Sequence, residues 1–251
     1  MKHSTKLSLR SLIGCVLTIS LFTGTLAAKI ESLNLSDIEA ARKALKPSFQ
    51  NGAGKLTVKE GALEYSVDKA SAKDFEYQMF QPARLRASQD FEIIGTFIND
   101  TIPELPEELA SVGIEVYQAT DLSNRVSATV SVARLYNYFS RTAFTQIVQG
   151  GKPVESTYSE DLRLPPEVTI KLSYDSKSRV FTTFYDSDQG EEVEWMKVGS
   201  FGVGGKGGET GNTNWRMRSS EKLLVYIYGY SENLSVFEGE AQVLSLSVET
   251  K

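Results

Sequence analysis

Between Phe91 and Val248 the chain consists almost wholly of short runs with a two-residue period, separated by clusters of turn residues. That rhythm constrains the fold more than any other feature, because it suits antiparallel strands and gives helices no stripe to bury. Arg125-Val126-Ser127-Ala128-Thr129-Val130-Ser131-Val132 alternates strictly, with the apolar side chains on one face and hydroxyls on the other. Residues 168–174 do the same, and Asp175-Ser176-Lys177-Ser178 turns them back into 179–185. Residues 91–98 are apolar at nearly every position, and further runs cover 193–198, 223–230 and 241–248. One helix is expected, over residues 36–45: Ser36 and Glu39 form a capping box, Ile38, Ala41 and Leu45 share a face, and Pro47 ends it. Two loops are long, 101–111 with Pro103 and Pro106, and 202–214 with six glycines. The pattern predicts an all-β chain, an antiparallel two-sheet jelly-roll β-sandwich with one short N-terminal helix.

Residues 1–28 read as a cleaved signal peptide. Lys2, Lys6 and Arg10 precede an apolar run over 12–22, and Thr25-Leu26-Ala27-Ala28 supplies a small-residue cleavage site. The run is too short for a membrane span. Leu12-Ile13-Gly14-Cys15 matches a lipoprotein box locally, but such a box should close the apolar segment, and here most of that segment follows Cys15. The expectation is therefore a secreted chain, periplasmic or extracellular in a bacterial envelope, without a lipid on Cys15. Residues 29–53 form a helix and lead-in, and 54–251 form the sandwich.

The only His, His3, and the only Cys, Cys15, both lie in that leader. A mature chain without either has no Ser-His-Asp triad, no Cys nucleophile, no imidazole or thiolate metal site and no disulfide. Its 24 basic residues face 32 acidic ones, a net charge of −8, with no basic tract. This points away from nucleic acid as a partner.

The order of these segments resembles the concanavalin A-like lectin/glucanase superfamily, particularly its laminin-G-like modules in bacterial secreted proteins. The resemblance runs from about Phe91 to Val248. It is carried by Asp90-Phe91-Glu92-Ile93, by Val112-Gly113-Ile114-Glu115-Val116, and by the hairpin series from Thr169 through Phe181 and Tyr185 to Trp195 and Gly199. Tyr226-Ile227-Tyr228-Gly229-Tyr230 and residues 241–246 fit the last two core strands. The resemblance implies that Trp195 packs inside the sandwich and that the protein recognises polysaccharide or a surface glycan. It also keeps two alternatives open: a glycoside hydrolase or polysaccharide lyase of the same fold, and a structural or adhesion protein of the envelope.

The residues bear on these readings unequally. No Glu-x-Asp-x-x-Glu string offers paired carboxylates for retaining hydrolysis. Glu192 and Glu194 share a face beside a hairpin tip, where charge is ordinarily solvated, and the lyase branch would use a His that the mature chain lacks. Asp186 and Asp188 are weak candidates for Ca2+, since Asp and Gly are also what any turn favours. The glycine-rich stretch 202–211 departs from a P-loop and reads as a flexible loop. Aromatic residues remain. Alternation puts Val225 and Ile227 on one face and Tyr226, Tyr228 and Tyr230 on the other. These tyrosines, with Trp215 and Arg216 upstream and Tyr136 and Tyr138 nearby, form either a sugar-stacking ladder on an open sheet or packing between two sheets.

Overall fold

The alternating runs do become strands. A computed structural model describes residues 29–251, apart from positions 70, 136–137, 189, 191, 206 and 235–236. The expected leader, with His3 and Cys15, lies outside the described residues, as does Tyr136. The chain opens with β1 (Lys29–Leu33), α1 (Ile38–Ala44), β2 (Leu45–Asn51), β3 (Gly54–Lys59) and β4 (Ala62–Val67). Then follow β5 (Lys73–Phe80), β6 (Leu85–Arg86), β7 (Phe91–Asn99), β8 (Leu109–Gln118) and β9 (Asp121–Leu135). Next come β10 (Tyr138–Gln149), β11 (Lys152–Tyr158), β12 (Glu167–Asp175) and β13 (Val180–Asp186). The last four are β14 (Met196–Gly202), β15 (Gly211–Asn212), β16 (Lys222–Glu232) and β17 (Phe237–Thr250).

These strands form two sheets. One runs β15-β14-β13-β12-β7-β17-β4-β3, with β1 added beside β17; the other runs β11-β10-β9-β8-β16-β5-β2, with β6 on β16. Every pairing is antiparallel except the short β14–β15 contact. Both edges of the lead-in are used: β1 pairs with β17 and β2 with β5, so residues 29–51 contribute a strand to each sheet.

The core lies between the sheets and is filled by the apolar face that alternation predicts. Val126, Ala128, Val130 and Val132 of β9 are fully buried there, as are Val225 and Ile227 of β16 and Ile93 and Phe97 of β7. Burying a valine side chain contributes about 1.5–3 kcal/mol, so three on one strand fix its register firmly. The Asn99 amide nitrogen in this layer donates to the carbonyls of Ala110 and Val130, and Arg141 donates to the carbonyls of Asn99 and Leu164, while Asn99 Oδ1 and the Trp215 indole N–H have no partner among the described residues. At one side the sandwich is closed by side chains. Glu76 of β5 accepts from the Leu56 amide and Gln78 donates to the Leu56 carbonyl at 2.6 Å, covering the outer edge of β3. Tyr65 crosses from β4 to the other sheet, and its hydroxyl lies 3.0 Å from the Asp74 carbonyl and 3.2 Å from Ser231 Oγ. Its ring occupies the space a side chain at position 229 would take, which is why glycine interrupts the tyrosines of β16.

Three local expectations are corrected. The helix is capped by Asp37, whose carboxylate accepts from the Ala40 amide at 3.0 Å; Ser36 instead donates its own amide to Asn34. The strand expected over 193–198 begins only at Met196 and runs to Gly202. Trp195 therefore precedes the strand, half-exposed, with the Lys171 ammonium 4.2 Å from its ring centroid. The tryptophan inside the sandwich is Trp215, against Phe181 with ring centroids 6.0 Å apart.

Candidate functional site

The face of the eight-stranded sheet turned away from the core is concave. Side chains from β2 at one edge to β11 at the other line a single groove of about 760 Å3. Register places the outward-facing residues, many of which line the groove, in rows across the sheet. Phe75, Tyr230, Ser111, Ser131 and Thr142 form one row, and Tyr77, Tyr228, Gly113, Thr129 and Phe144 form the next. Met79, Tyr226, Glu115, Ser127 and Gln146 form the third. Each row is two residues, about 6.7 Å, from its neighbour along the strands. The chemistry divides by strand, not by row. The β5 and β16 side of the groove is aromatic, β8 and β9 supply mainly hydroxyls with Glu115 and Arg125, and β10 adds hydroxyls, an amide, Tyr138 and Phe144.

The aromatic side is a second hydrophobic cluster, separate from the core. Tyr77, Tyr117, Tyr226 and Tyr228 bury one another, with Phe75, Met79, Leu224 and Tyr230 packed around them. Phe49 of β2 stacks on Tyr77 at 4.2 Å, and Tyr77 on Tyr228 at 5.2 Å with an interplanar angle of 11°. Tyr117 meets Tyr226 edge to face at 4.9 Å. The tyrosines of β16 thus point away from the sandwich, as alternation requires, but two of the three are covered by their neighbours. Tyr226 is 5% exposed and Tyr228 8%; Tyr230 remains half-buried and lines the groove together with Tyr228. The opposite wall carries Phe144, Tyr138 and Tyr158, of which Tyr158 is 58% exposed.

At one end of the groove sits Glu115. Its carboxylate accepts from the Tyr117 hydroxyl at 2.5 Å and from Arg125 Nε at 3.2 Å. Burial pushes the Glu115 carboxyl above its ordinary range, and Arg125 and Tyr117 only partly offset this. The hydroxyls of Tyr77, Tyr117 and Tyr228 are likewise pushed up by burial and then by the Glu115 charge, and Tyr230 by burial and then its bond to Glu232. All four stay protonated at neutral pH and remain hydrogen-bond donors. At the other end, Lys73 places its ammonium 5.2 Å from the Tyr230 ring centroid. Between the ends Ser111 and Ser131 hydroxyls lie 2.7 Å apart, and Thr129 and Ser131 hydroxyls 2.9 Å apart. Glu115 is the one carboxylate among the described lining residues.

The other residues singled out from the sequence lie elsewhere. Trp215 belongs to the core, and Arg216 is exposed, with its carbonyl accepting from Gln118 at 2.9 Å; neither lines the groove. Asp186 accepts from the Asp188 amide at 3.0 Å and Asp188 from the Gly190 amide at 3.1 Å, which is turn chemistry. No group of three His, Cys, Asp or Glu side chains suited to a metal occurs among the described residues. Glu192 and Glu194 are exposed beside the same turn, and Glu191 lies outside the described residues. The glycine-rich stretch bends back so that Phe201 and Gly202 run parallel to Gly211 and Asn212. Sequence reasoning missed Phe75, Tyr77, Glu115 and Arg125 as site residues. The available signals were aromatics two apart in Phe75-Glu76-Tyr77 and a lone carboxylate in the apolar run 112–116. Among the described residues no helix is long and apolar enough to cross a membrane.

No family model matches the chain, and no curated protein matches it. Solved structures do. The lectin UEA-II complexed with galactose aligns with a TM-score of 0.57 at 10% identity, covering 89% of this chain and 98% of that one. Lectin I from Ulex europaeus in complex with the methyl glycoside of alpha-L-fucose aligns with the same TM-score, identity and coverage. The potassium-bound carbohydrate recognition domain of Emp46p aligns at 0.52, with 10% identity over 86% of this chain and 93% of that one. Identity this low speaks for architecture alone. The chain has the fold of the concanavalin A-like lectins and glucanases.

Proposed function

We propose that the groove on the outer face of the eight-stranded sheet binds a polysaccharide or surface glycan without cleaving it, in a protein that acts outside the cytoplasm once its leader is removed. The observation that carries this reading is the pairing of an aromatic wall with a hydroxyl-lined floor in one open groove. Sugar rings offer C–H faces that stack on aromatics, while their hydroxyls need donors and acceptors in fixed places. Tyr228, Tyr230 and Tyr158 provide the first, and Ser111, Ser131, Thr142 and Gln146 the second. Galactose and a fucoside, bound by lectins of this fold, support a sugar as the ligand class. A glycosidase of either stereochemistry needs two carboxyls across its cleft, and the described lining supplies one.

The test is a glycan array with residues 29–251, with and without calcium, followed by titration calorimetry on the best ligand. One sugar class should bind equally well in calcium and in chelator. Tyr230→Ala should weaken that binding about tenfold with the fold intact. An array silent for the wild-type chain, or affinity unchanged in both Tyr230→Ala and Tyr158→Ala, removes the groove as a glycan site.

A further inference from the structure

The charges around the groove say more about its ligand than the aromatic wall does. Residues 29–251 carry 32 acidic and 24 basic side chains, yet the described groove lining holds two cations, Lys73 and Arg125, against the single carboxylate of Glu115. That carboxylate is turned inward to Tyr117 and Arg125 and is almost wholly buried, so it presents little charge to a ligand. Arg125 commits only its Nε to Glu115; its two Nη groups have no hydrogen-bond partner among the described residues, although the side chain lines the groove and is 25% exposed. The ring of Tyr117 lies 5.7 Å from the guanidinium carbon. Lys73 is exposed and makes no ion pair among the described residues.

The two cations stand far apart. Lys73 is level with Leu109 on β8, through Glu232, and Arg125 is level with Tyr117 on the same strand. Eight residues of strand separate these backbone levels, but the Lys73 ammonium sits by Tyr230, level with Ser111, and the Arg125 guanidinium by Glu115. The charges are therefore four residues, about 14 Å, apart along the strands and three strand spacings, about 14 Å, apart across them. No monosaccharide reaches both, whereas a chain of sugars running obliquely from β5 across β16 and β8 to β9 passes both, with the Ser111 and Ser131 hydroxyls beneath it. A planar guanidinium with two free N–H groups matches a carboxylate in two-point geometry, and an ammonium on a flexible stem matches it as a point charge.

We infer that the groove selects an extended polysaccharide bearing carboxylates, a polyuronate, with Arg125 and Lys73 engaging acidic sugars at its two ends. This deepens the glycan-binding reading and rests on it. The described lining carries two cations and one buried carboxylate in a strongly acidic chain, with Glu232 bonded to the Tyr230 hydroxyl at the Lys73 end, so an acidic glycan meets less repulsion along the groove than over the rest of the surface.

The experiment compares polygalacturonate, dextran sulfate and neutral dextran as ligands for residues 29–251, by calorimetry at low and at high salt. Polygalacturonate should bind at least tenfold more tightly than neutral dextran, and raising the salt should remove most of that difference. Lys73→Gln should weaken polygalacturonate about two- to fivefold, as expected of an exposed charge pair. Arg125→Lys, which keeps a cation beside Glu115 but loses the planar fork, should weaken it about tenfold with the melting temperature retained. Oligouronates too short to span the groove should lose the effect of one substitution or the other. Equal or tighter binding of a neutral glycan, or binding of dextran sulfate alone, overturns the polyuronate inference while leaving a glycan-binding groove in place. Silence of all three polymers on a glycan array that is also silent overturns both readings.

Discussion

The two faces of β16 are built from the same eleven residues and do opposite things. On the inner face Leu223, Val225 and Ile227 are aliphatic, fully enclosed and without polar atoms to satisfy. On the outer face Tyr226, Tyr228 and Tyr230 are also largely covered, but by one another and by Phe75, Tyr77 and Tyr117, and each keeps a hydroxyl at its tip. Aliphatic packing between sheets specifies where the strand lies. Aromatic packing outside them holds rings in place next to water, which is what a recognition surface needs and what a core does not. Fractional exposure alone would rank both faces as core; the polar tips and the open groove beside them distinguish the outer one.

Three substitutions test that contrast. Ile227→Ala opens a cavity between the sheets and should cost about 2–5 kcal/mol, read as a shift in denaturant midpoint. Tyr230→Ala on the outer face should cost less than about 1 kcal/mol; if the two cost the same, the outer cluster is a second core and not a surface. Gly229→Ala should cost about 1–3 kcal/mol, because the added Cβ lies 2.1 Å from the Tyr65 ring. Combining it with Tyr65→Leu should recover part of that loss, and strict additivity would show that the ring is not what excludes a side chain there.

The smallest effect concerns Glu115. Its carboxyl is raised above the ordinary range by burial, so between the ordinary and the raised value the folded chain binds more protons than the unfolded one. Stability therefore falls as pH rises through that window and is regained as pH drops below the raised value. Denaturation of wild type and Glu115→Gln from about pH 4 to about pH 8 should show a steeper fall in the first than in the second, which keeps the contribution of Glu76, a carboxyl likewise raised by burial. Superimposable profiles would mean that Arg125 and Tyr117 offset the burial in full.

How much of this the sequence disclosed depends on which face a strand's apolar residues take. β9 was legible because its valines point into the core and its hydroxyls away, the pattern alternation assumes. β5 inverts it: Phe75 and Tyr77 point to the groove, with Met79 on the same face, while Glu76 and Gln78 bond the free edge of β3 and Asp74 accepts from the Ala53 amide just before it. Alternation is present there, but its sense is reversed, and only the neighbouring sheet shows it. β10 hides for another reason. Its inward side chains are Arg141, Ala143, Thr145 and Ile147, two of them polar and matched by Asn99, Leu164, Ser127 and Thr183. No apolar period survives in such a strand. The tryptophans show the limit of reading by resemblance: their order along the chain suggested Trp195 for the core, but the strand start at Met196 leaves it outside and Trp215 fills the space. The groove itself brings together strands as distant in sequence as β5, β8 and β16, and Glu115 with Arg125 becomes a pair only through the register of β8 on β9.

That register has a kinetic side. β17, the most C-terminal strand, sits between β7 and β4 in the middle of its sheet, not at an edge. The sheet cannot zip from its early strands outward; β4 and β7, formed long before, must wait unpaired on facing edges until residues 237–250 arrive to join them. Closure across such sequence distances is intrinsically slow. Pairing of residues 237–250 is therefore the step that joins the β3–β4 hairpin to the strands from β7 onward.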